Sequence, residues 1–429
     1  MRGGMTTPFP TSSILPEQGP PLRVPMTYFL TGILFFVFYS VMLIVEGGHL
    51  FDFYLASKTV ASVHLLTLGF LALVMIGALC QMVPVICGKP VLPPRISLGI
   101  YAAILCGILL LVWGVYLHHV LLIRTAPVFL VTSFLFFSAA SLRAVFKSRA
   151  FSKTAVGIGV SVIFLACAVV IGAGLAFMRT GFFSYVSHPL FFQTHVAFGI
   201  LGWVGVLIMS VSWQVIPMFY IAPSYGRQFT GGAIFLCLLS LLLCVVALFG
   251  FWSSLSYIGI CMLAFTVLAL NPIYTLKILS RRKKTLNDPT LKFWISGLIC
   301  SILSFALIIA VWAFRLNLPV AFIGWLVVPG WAMFIIHGML CRIMPFLVWF
   351  HRFSSLAGKT PIPSLKKILP YEKINISYIL HISALIVGAV SFLAHFSSGF
   401  RVAGVLMLLC SLYLLNIGVY VLRFKDPYS

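Results

Sequence analysis

An all-α polytopic membrane protein, with twelve transmembrane helices in a pseudo-threefold arrangement of four-helix units, is the fold class predicted by three features of the sequence. Of 429 residues, 62% are hydrophobic and only 8% charged, whereas about a quarter of the residues in a soluble globular domain are charged. Apolar runs recur from Met26 to Leu422, each long enough to cross a hydrocarbon core that needs about 20 helical residues. A short polar-x-x-Pro motif returns in every fourth run. Unbroken runs of this length satisfy their backbone groups internally as helices, whereas a barrel would show alternating segments of about ten residues.

Taken in order, the chain opens on MRGGMTTPFPTSSILPEQGPPLRVP, a Pro/Ser/Thr-rich stretch over residues 1-25. It lacks the compact basic start and small-residue cleavage site of a secretory signal and reads as a retained, disordered cytoplasmic tail. A single twelve-helix membrane domain is expected over 26-422, with spans at 26-45, 60-86, 97-117, 125-142, 155-177, 190-220, 231-250, 254-276, 293-314, 320-349, 374-396 and 402-421. Residues 423-429 form a second short cytoplasmic tail.

Short cytoplasmic loops are enriched in Lys and Arg. With these spans, 22 of the 28 basic residues fall in the tails and the even-numbered loops, against 5 in the opposite loops: Lys58, Arg124, Arg179, Arg315 and Arg401. Both termini are therefore expected in the cytoplasm, and the chain in the inner membrane of a bacterium. The net charge of +22 does not imply nucleic acid. Its basic residues sit in loops such as SRRKKTLNDP, where topology and contact with anionic lipid account for them. The ten cysteines fall in the spans without a C-x-x-C pair, so disulfides are not expected and the thiols read as small hydrophobes.

Three stretches repeat one another: CQMVPVICG in span two, WQVIPMFYI in span six and CRIMPFLVW in span ten. Each places a polar residue (Gln81, Gln214 or Arg342) three residues before a proline (Pro84, Pro217 or Pro345). The recurrence every four spans marks three repeat units centred on helices 60-86, 190-220 and 320-349. His64 lies 20 residues before its proline and His195 lies 22 before its own, near the outer ends of their helices. The matching position in span ten is Trp325, and His337 lies about 18 Å further toward the cytoplasm at 1.5 Å per residue. His49, His118, His119, His188 and His395 also map to the outer side, so seven of ten histidines gather there. His381 is expected toward the cytoplasmic side, away from any outer site.

The order His64, QMVPVICG, Pro94-Arg95 resembles the second helix of the large subunit of haem-copper oxidases and nitric oxide reductases. There, a histidine precedes a polar-x-x-Pro turn and a Pro-Arg pair. Twelve spans, cytoplasmic termini and a threefold plan resemble that subunit along the whole chain, and THVAFGILGWVGVLIMSVSWQVIPMFY is a looser match in span six. The resemblance implies a divergent member of the subunit I superfamily with His64 as an axial ligand of a haem b. The chain departs from the family at two places: span ten carries FIGWLVV instead of a His-x-His, and span seven lacks the His-His pair that binds copper. A complete binuclear oxygen-reducing centre is therefore not expected. The smaller nitric-oxide-response haem-copper membrane proteins are also similar, although Ser62-Val63-His64-Leu65 replaces their His-x-His-Glu.

A histidine inside a span is functional by default, although an imidazole can simply bond a neighbouring helix for about 1 kcal/mol. Candidate cofactor ligands are His64, His195 and His337. Candidate metal ligands, for haem iron or for copper, are His64, His195, His118 and His119. The adjacent pair points about 100° apart on a helix and can meet one metal only if the helix ends there. Arg342 is expected to snorkel to the cytoplasmic headgroups. All six acidic residues lie in tails, loops or span ends, which argues against proton pumping. The expected function is redox or diatomic-gas handling by a bound haem, with electrons from a donor protein or quinol and a partner membrane subunit. The alternatives are a transporter or metal-handling permease, and a non-catalytic assembly subunit.

Overall fold

The computed structural model describes residues 19–148, 152–182, 188–250, 252–283, 288–356, 358 and 360–425. The N-terminal tail up to residue 18 and residues 426–429 of the C-terminal tail lie outside the described residues. Helices account for the fold, and no strand occurs among the described residues. Twelve are long and apolar enough to cross a membrane: α1 Arg23–Phe51, α2 Ser57–Cys87, α3 Pro94–Tyr116, α4 Val120–Phe146, α5 Lys153–Arg179, α6 Pro189–Tyr220, α7 Arg227–Leu248, α8 Ser254–Ser280, α9 Thr290–Phe314, α10 Val320–Leu356, α11 Tyr371–Leu393 and α12 Ser397–Arg423. The protein is thus a multi-pass membrane protein surrounded by lipid. The face that holds residues 23 and 423 is the terminal face, and its opposite the distal face.

Local chemistry sets the helix ends. α4, expected over 125-142, begins at Val120 because the His119 side chain accepts a hydrogen bond from Leu122 N across the first turn, as an N-cap does. Ser152 Oγ caps α5 in the same way by accepting from Ala155 N. α2 stops at Gly88, whose φ of +67° only glycine adopts freely. α1 starts at Arg23, inside the expected tail: Pro25 falls in its first turn, where the missing N–H is not needed. Gly19 and Pro20 are not free chain either, since Gly19 packs on the side chain of Gln81.

The helices form a closed ring of three four-helix units. α4 packs on α5, α8 on α9, and α12 returns to pack along α1. That closure is tight: a Cβ on Gly404 of α12 would stand 2.9 Å from the backbone nitrogen of Ile44, and small residues are what let membrane helices approach so closely. α2, α6 and α10 occupy the middle. Their most apolar windows are 78%, 72% and 72% buried, while no other helix exceeds 50%.

These central helices share a local distortion. Each carries a π-helical stretch, Leu65–Ala72, Ala197–Gly205 and Leu326–Met333, which begins just after His64, His195 and Trp325. α8 carries a shorter one, Phe265–Leu270. π-turns are rare and concentrate at functional sites. The repeat is also longer than the proline motif alone. Gly69, Gly202 and Gly330 stand at one register before Pro84, Pro217 and Pro345. Each receives a side chain from the first helix of its own unit: Phe35, Phe164 and Cys300.

Candidate functional site

Two histidine constellations emerge. In the first, the π-helical centres of α2 and α6 touch, and this brings the His64 and His195 rings to 6.3 Å between centroids with 21° between their planes. Both lie near the distal face, His64 about 10 Å along the helix from Ser57. Each ring is fixed by a backbone carbonyl on Nδ1: Val60 O at 2.7 Å for His64 and Ala168 O, from α5, at 2.9 Å for His195. His195 also fills the space beside Gly172 of α5, where a Cβ would collide with its ring. A proton held on Nδ1 leaves Nε2 as the lone-pair nitrogen. Neither Nε2 has a hydrogen-bond partner among the described residues, and both side chains are only partly buried.

The third equivalent position is closed. Trp325 donates its indole N–H to Leu385 O at 3.0 Å and packs edge-on against Phe51, Phe392 and Phe400. A cationic rim surrounds the open pair. Arg179 donates to Ser57 Oγ at 2.7 Å and to Leu55 O at 3.2 Å. Lys58 pairs with the buried Glu46 at 2.7 Å, and Tyr116 donates to the same carboxylate. His118 reaches Ser57 Oγ at 3.3 Å, and His119 is the α4 cap. The helix does end between α3 and α4, but among the described residues His118 and His119 are not gathered with a third ligand. The side chain of His188 is outside the described residues.

The second constellation lies within the third unit, at mid-membrane depth. His337 of α10 faces His381 of α11, Nδ1 to Nδ1, at 3.0 Å, and its Nε2 bonds Ser377 Oγ at 2.7 Å. Cys410 of α12 places its sulfur 4.0 Å from His337 Nδ1. Three donor atoms lie within 4.8 Å of one another, and all three residues are fully buried. Phe334 stacks on His381 at 4.0 Å, and Phe293 covers His337. Nε2 of His381 is buried and makes no well-formed hydrogen bond among the described residues. His381 was expected on the cytoplasmic side and outside any site. It lies ten residues into α11, which is about 15 Å and half the bilayer.

Arg342 does not snorkel. It donates to Asp288 Oδ2 at 2.7 Å, lies over the Phe219 ring at 4.9 Å, and is only 17% exposed. Asp288, 2% exposed, also accepts from Thr290 N and Thr290 Oγ1 at the start of α9. A local anion outcompetes headgroups because the pair forms without exposing either charge to hydrocarbon. Between the central helices lies an apolar cavity of ≈ 70 Å³, lined by residues that include Met75, Met82, Leu207, Ile336 and Met339.

No protein-family model matches the chain, and no curated protein matches it in sequence.

Proposed function

We propose that this chain is a haem-binding redox protein of the bacterial inner membrane, a divergent relative of the haem-copper oxidase large subunit. In this reading His64 and His195 hold one haem b between α2 and α6. The observation that carries it is the spacing of the pair. Two imidazoles on opposite sides of one metal are separated by two bonds of about 2.0 Å plus their ring radii, which is the 6.3 Å found here. Carbonyl bonds on both Nδ1 atoms supply the orienting contacts that metal-bound histidines need. The resemblance implies a further histidine ligand in span ten, where Trp325 stands, so His195 would be the second residue to hold the group.

When bound, a haem with two imidazole ligands supplies one-electron chemistry, its potential tuned by ligands and surrounding polarity. If both imidazoles held the group, electron transfer would be favoured over direct binding of oxygen or nitric oxide. The chain's own residues orient the imidazoles, seal the third position with Trp325, and set Arg179 at the rim, where a carboxylate of a cofactor would find a cation. Excess Lys and Arg on the terminal-face loops puts both termini in the cytoplasm and the pair toward the periplasm. Electrons would come from a quinol or a donor protein, through contact with a partner membrane subunit. A permease is less well supported, because the central cavity is apolar and offers no polar path.

The visible spectrum of protein purified from haem-replete cells tests this. The expected result is a Soret band and sharp reduced-minus-oxidised bands of a six-coordinate haem b. His64→Ala or His195→Ala should each convert it to a five-coordinate form or abolish it. A colourless wild-type protein overturns the reading, and so does a spectrum that neither substitution changes.

A further inference from the structure

We infer that His337, His381 and Cys410 form a binding site for a single cuprous ion in the middle of the membrane. The site is apart from the distal pair, and its three ligands come from three successive helices of the third unit. The geometry fits a metal. With metal–nitrogen bonds of about 2.0 Å and a metal–sulfur bond of about 2.3 Å, one ion bridges the 4.0 Å gap from Cys410 sulfur to His337 Nδ1. It bridges the 3.0 Å between the two Nδ1 atoms as well. Ser377 holds His337 Nε2 at 2.7 Å, which directs the Nδ1 lone pair toward His381 and Cys410. Contacts of this kind around metal-bound histidines orient the ring.

Charge chooses the ion. The cluster is fully buried and walled by Phe293 and Phe334, and no carboxylate joins it among the described residues. Net charge at such a depth is costly. One cuprous ion, one thiolate and two neutral imidazoles sum to zero, whereas a divalent ion would leave a positive charge and, for zinc, an empty fourth position. Thiolate and imidazole are also the donors that suit Cu(I). Binding replaces the hydrogen bond between the two Nδ1 atoms, its proton moving from His381 Nδ1 to Nε2 of the same ring, and exchanges the Cys410 S–H bond for a sulfur–copper bond, with that proton released to solvent. The copper enters and stays as Cu(I), so no oxidant or reductant is needed.

The test is an anaerobic titration of the purified full-length protein with Cu(I) against a colorimetric Cu(I) chelator, followed by copper X-ray absorption. One tight equivalent per chain is expected, with one sulfur and two nitrogen scatterers. Cys410→Ser and His381→Gln should each abolish that equivalent, and Ser377→Ala should weaken it about tenfold or more. His64→Ala should leave it intact, so a failed haem reading and a failed copper site are told apart. The site is refuted by no tight equivalent in the wild type, by a spectrum without sulfur, or by a Cys410→Ser protein that binds as the wild type does. The absorption spectrum needs no variant, so misfolding of a variant does not blur the result.

Discussion

The two histidine pairs of this protein are built in opposite ways. His64 and His195 come from different four-helix units, stand 6.3 Å apart, and are only partly buried, each ring tied to a carbonyl and each with one nitrogen uncommitted. His337 and His381 belong to one unit, touch at 3.0 Å, and are completely buried beside a thiol. The wider pair leaves both Nε2 atoms uncommitted, whereas a contact in a dry aromatic box admits at most a bare ion. The difference follows from the repeat. In the first two units a histidine stands one or two residues before the π-helical stretch and stays only partly buried. In the third that place belongs to Trp325, whose indole is buried against α11 and α12 of its own unit and Phe51 of α1, and the histidines of that unit lie deeper instead.

The largest expected effect comes from reopening the third position. Trp325 is fully buried, hydrogen-bonded and packed against three aromatic rings and against Gly388. Trp325→Ala should cost about 3–5 kcal/mol, the usual loss for truncating a buried aromatic residue. His64→Ala, on the partly open side, should cost under about 1 kcal/mol when both are compared in haem-free protein. Unfolding by a denaturing detergent in mixed micelles measures both. Equal losses would show that the first two units are as tightly sealed as the third, which the open-pair reading does not allow.

Next in size is the ion pair on the terminal face. Asp288→Ala strands the Arg342 guanidinium among Phe219 and the ends of α9 and α10, and leaves Thr290 N without its acceptor. A loss of about 3 kcal/mol is expected, since removing one partner of a buried pair leaves an uncompensated charge. Asp288→Ala with Arg342→Met should recover much of it, because an apolar residue needs no partner. If the double variant is no better than the single, the carboxylate matters for capping α9 and not for the arginine.

The twelve spans were readable because hydropathy in lipid is nearly a one-dimensional property: a run either is or is not long and apolar enough to cross. The repeat was partly readable, through Pro84, Pro217 and Pro345. The glycines at one register before them were equally visible in the sequence, yet they gain meaning only when Phe35, Phe164 and Cys300 are seen packed on them. His64 and His195 stood out because repeat and depth coincided. His381 and Cys410 did not, since they lie outside the repeat motif and a partner across three helices leaves no sequence spacing. Counting from the expected start at 374 puts His381 only about 10 Å deep, and it is the earlier start at Tyr371 that carries it to mid-bilayer. Asp288 looked like a loop residue, and its burial arises from the fold of α9 against α10.

The smallest expected effect concerns the adjacent histidines at the distal face. His119 accepts from Leu122 N at 3.4 Å, a long capping bond on an exposed side chain, and His118 touches Ser57 at 3.3 Å. If these contacts are their whole role, His119→Ala should cost no more than about 0.5 kcal/mol, and His119→Asn, a better cap, should recover it. His118→Ala should leave both the visible spectrum and the cuprous stoichiometry unchanged. The alternative is that the two rings hold a metal where the helix ends. Their joint removal would then lower bound copper or shift the haem bands, with no matching loss of stability. Cap and ligand thus separate cleanly, because asparagine restores a cap but does not replace an imidazole on copper.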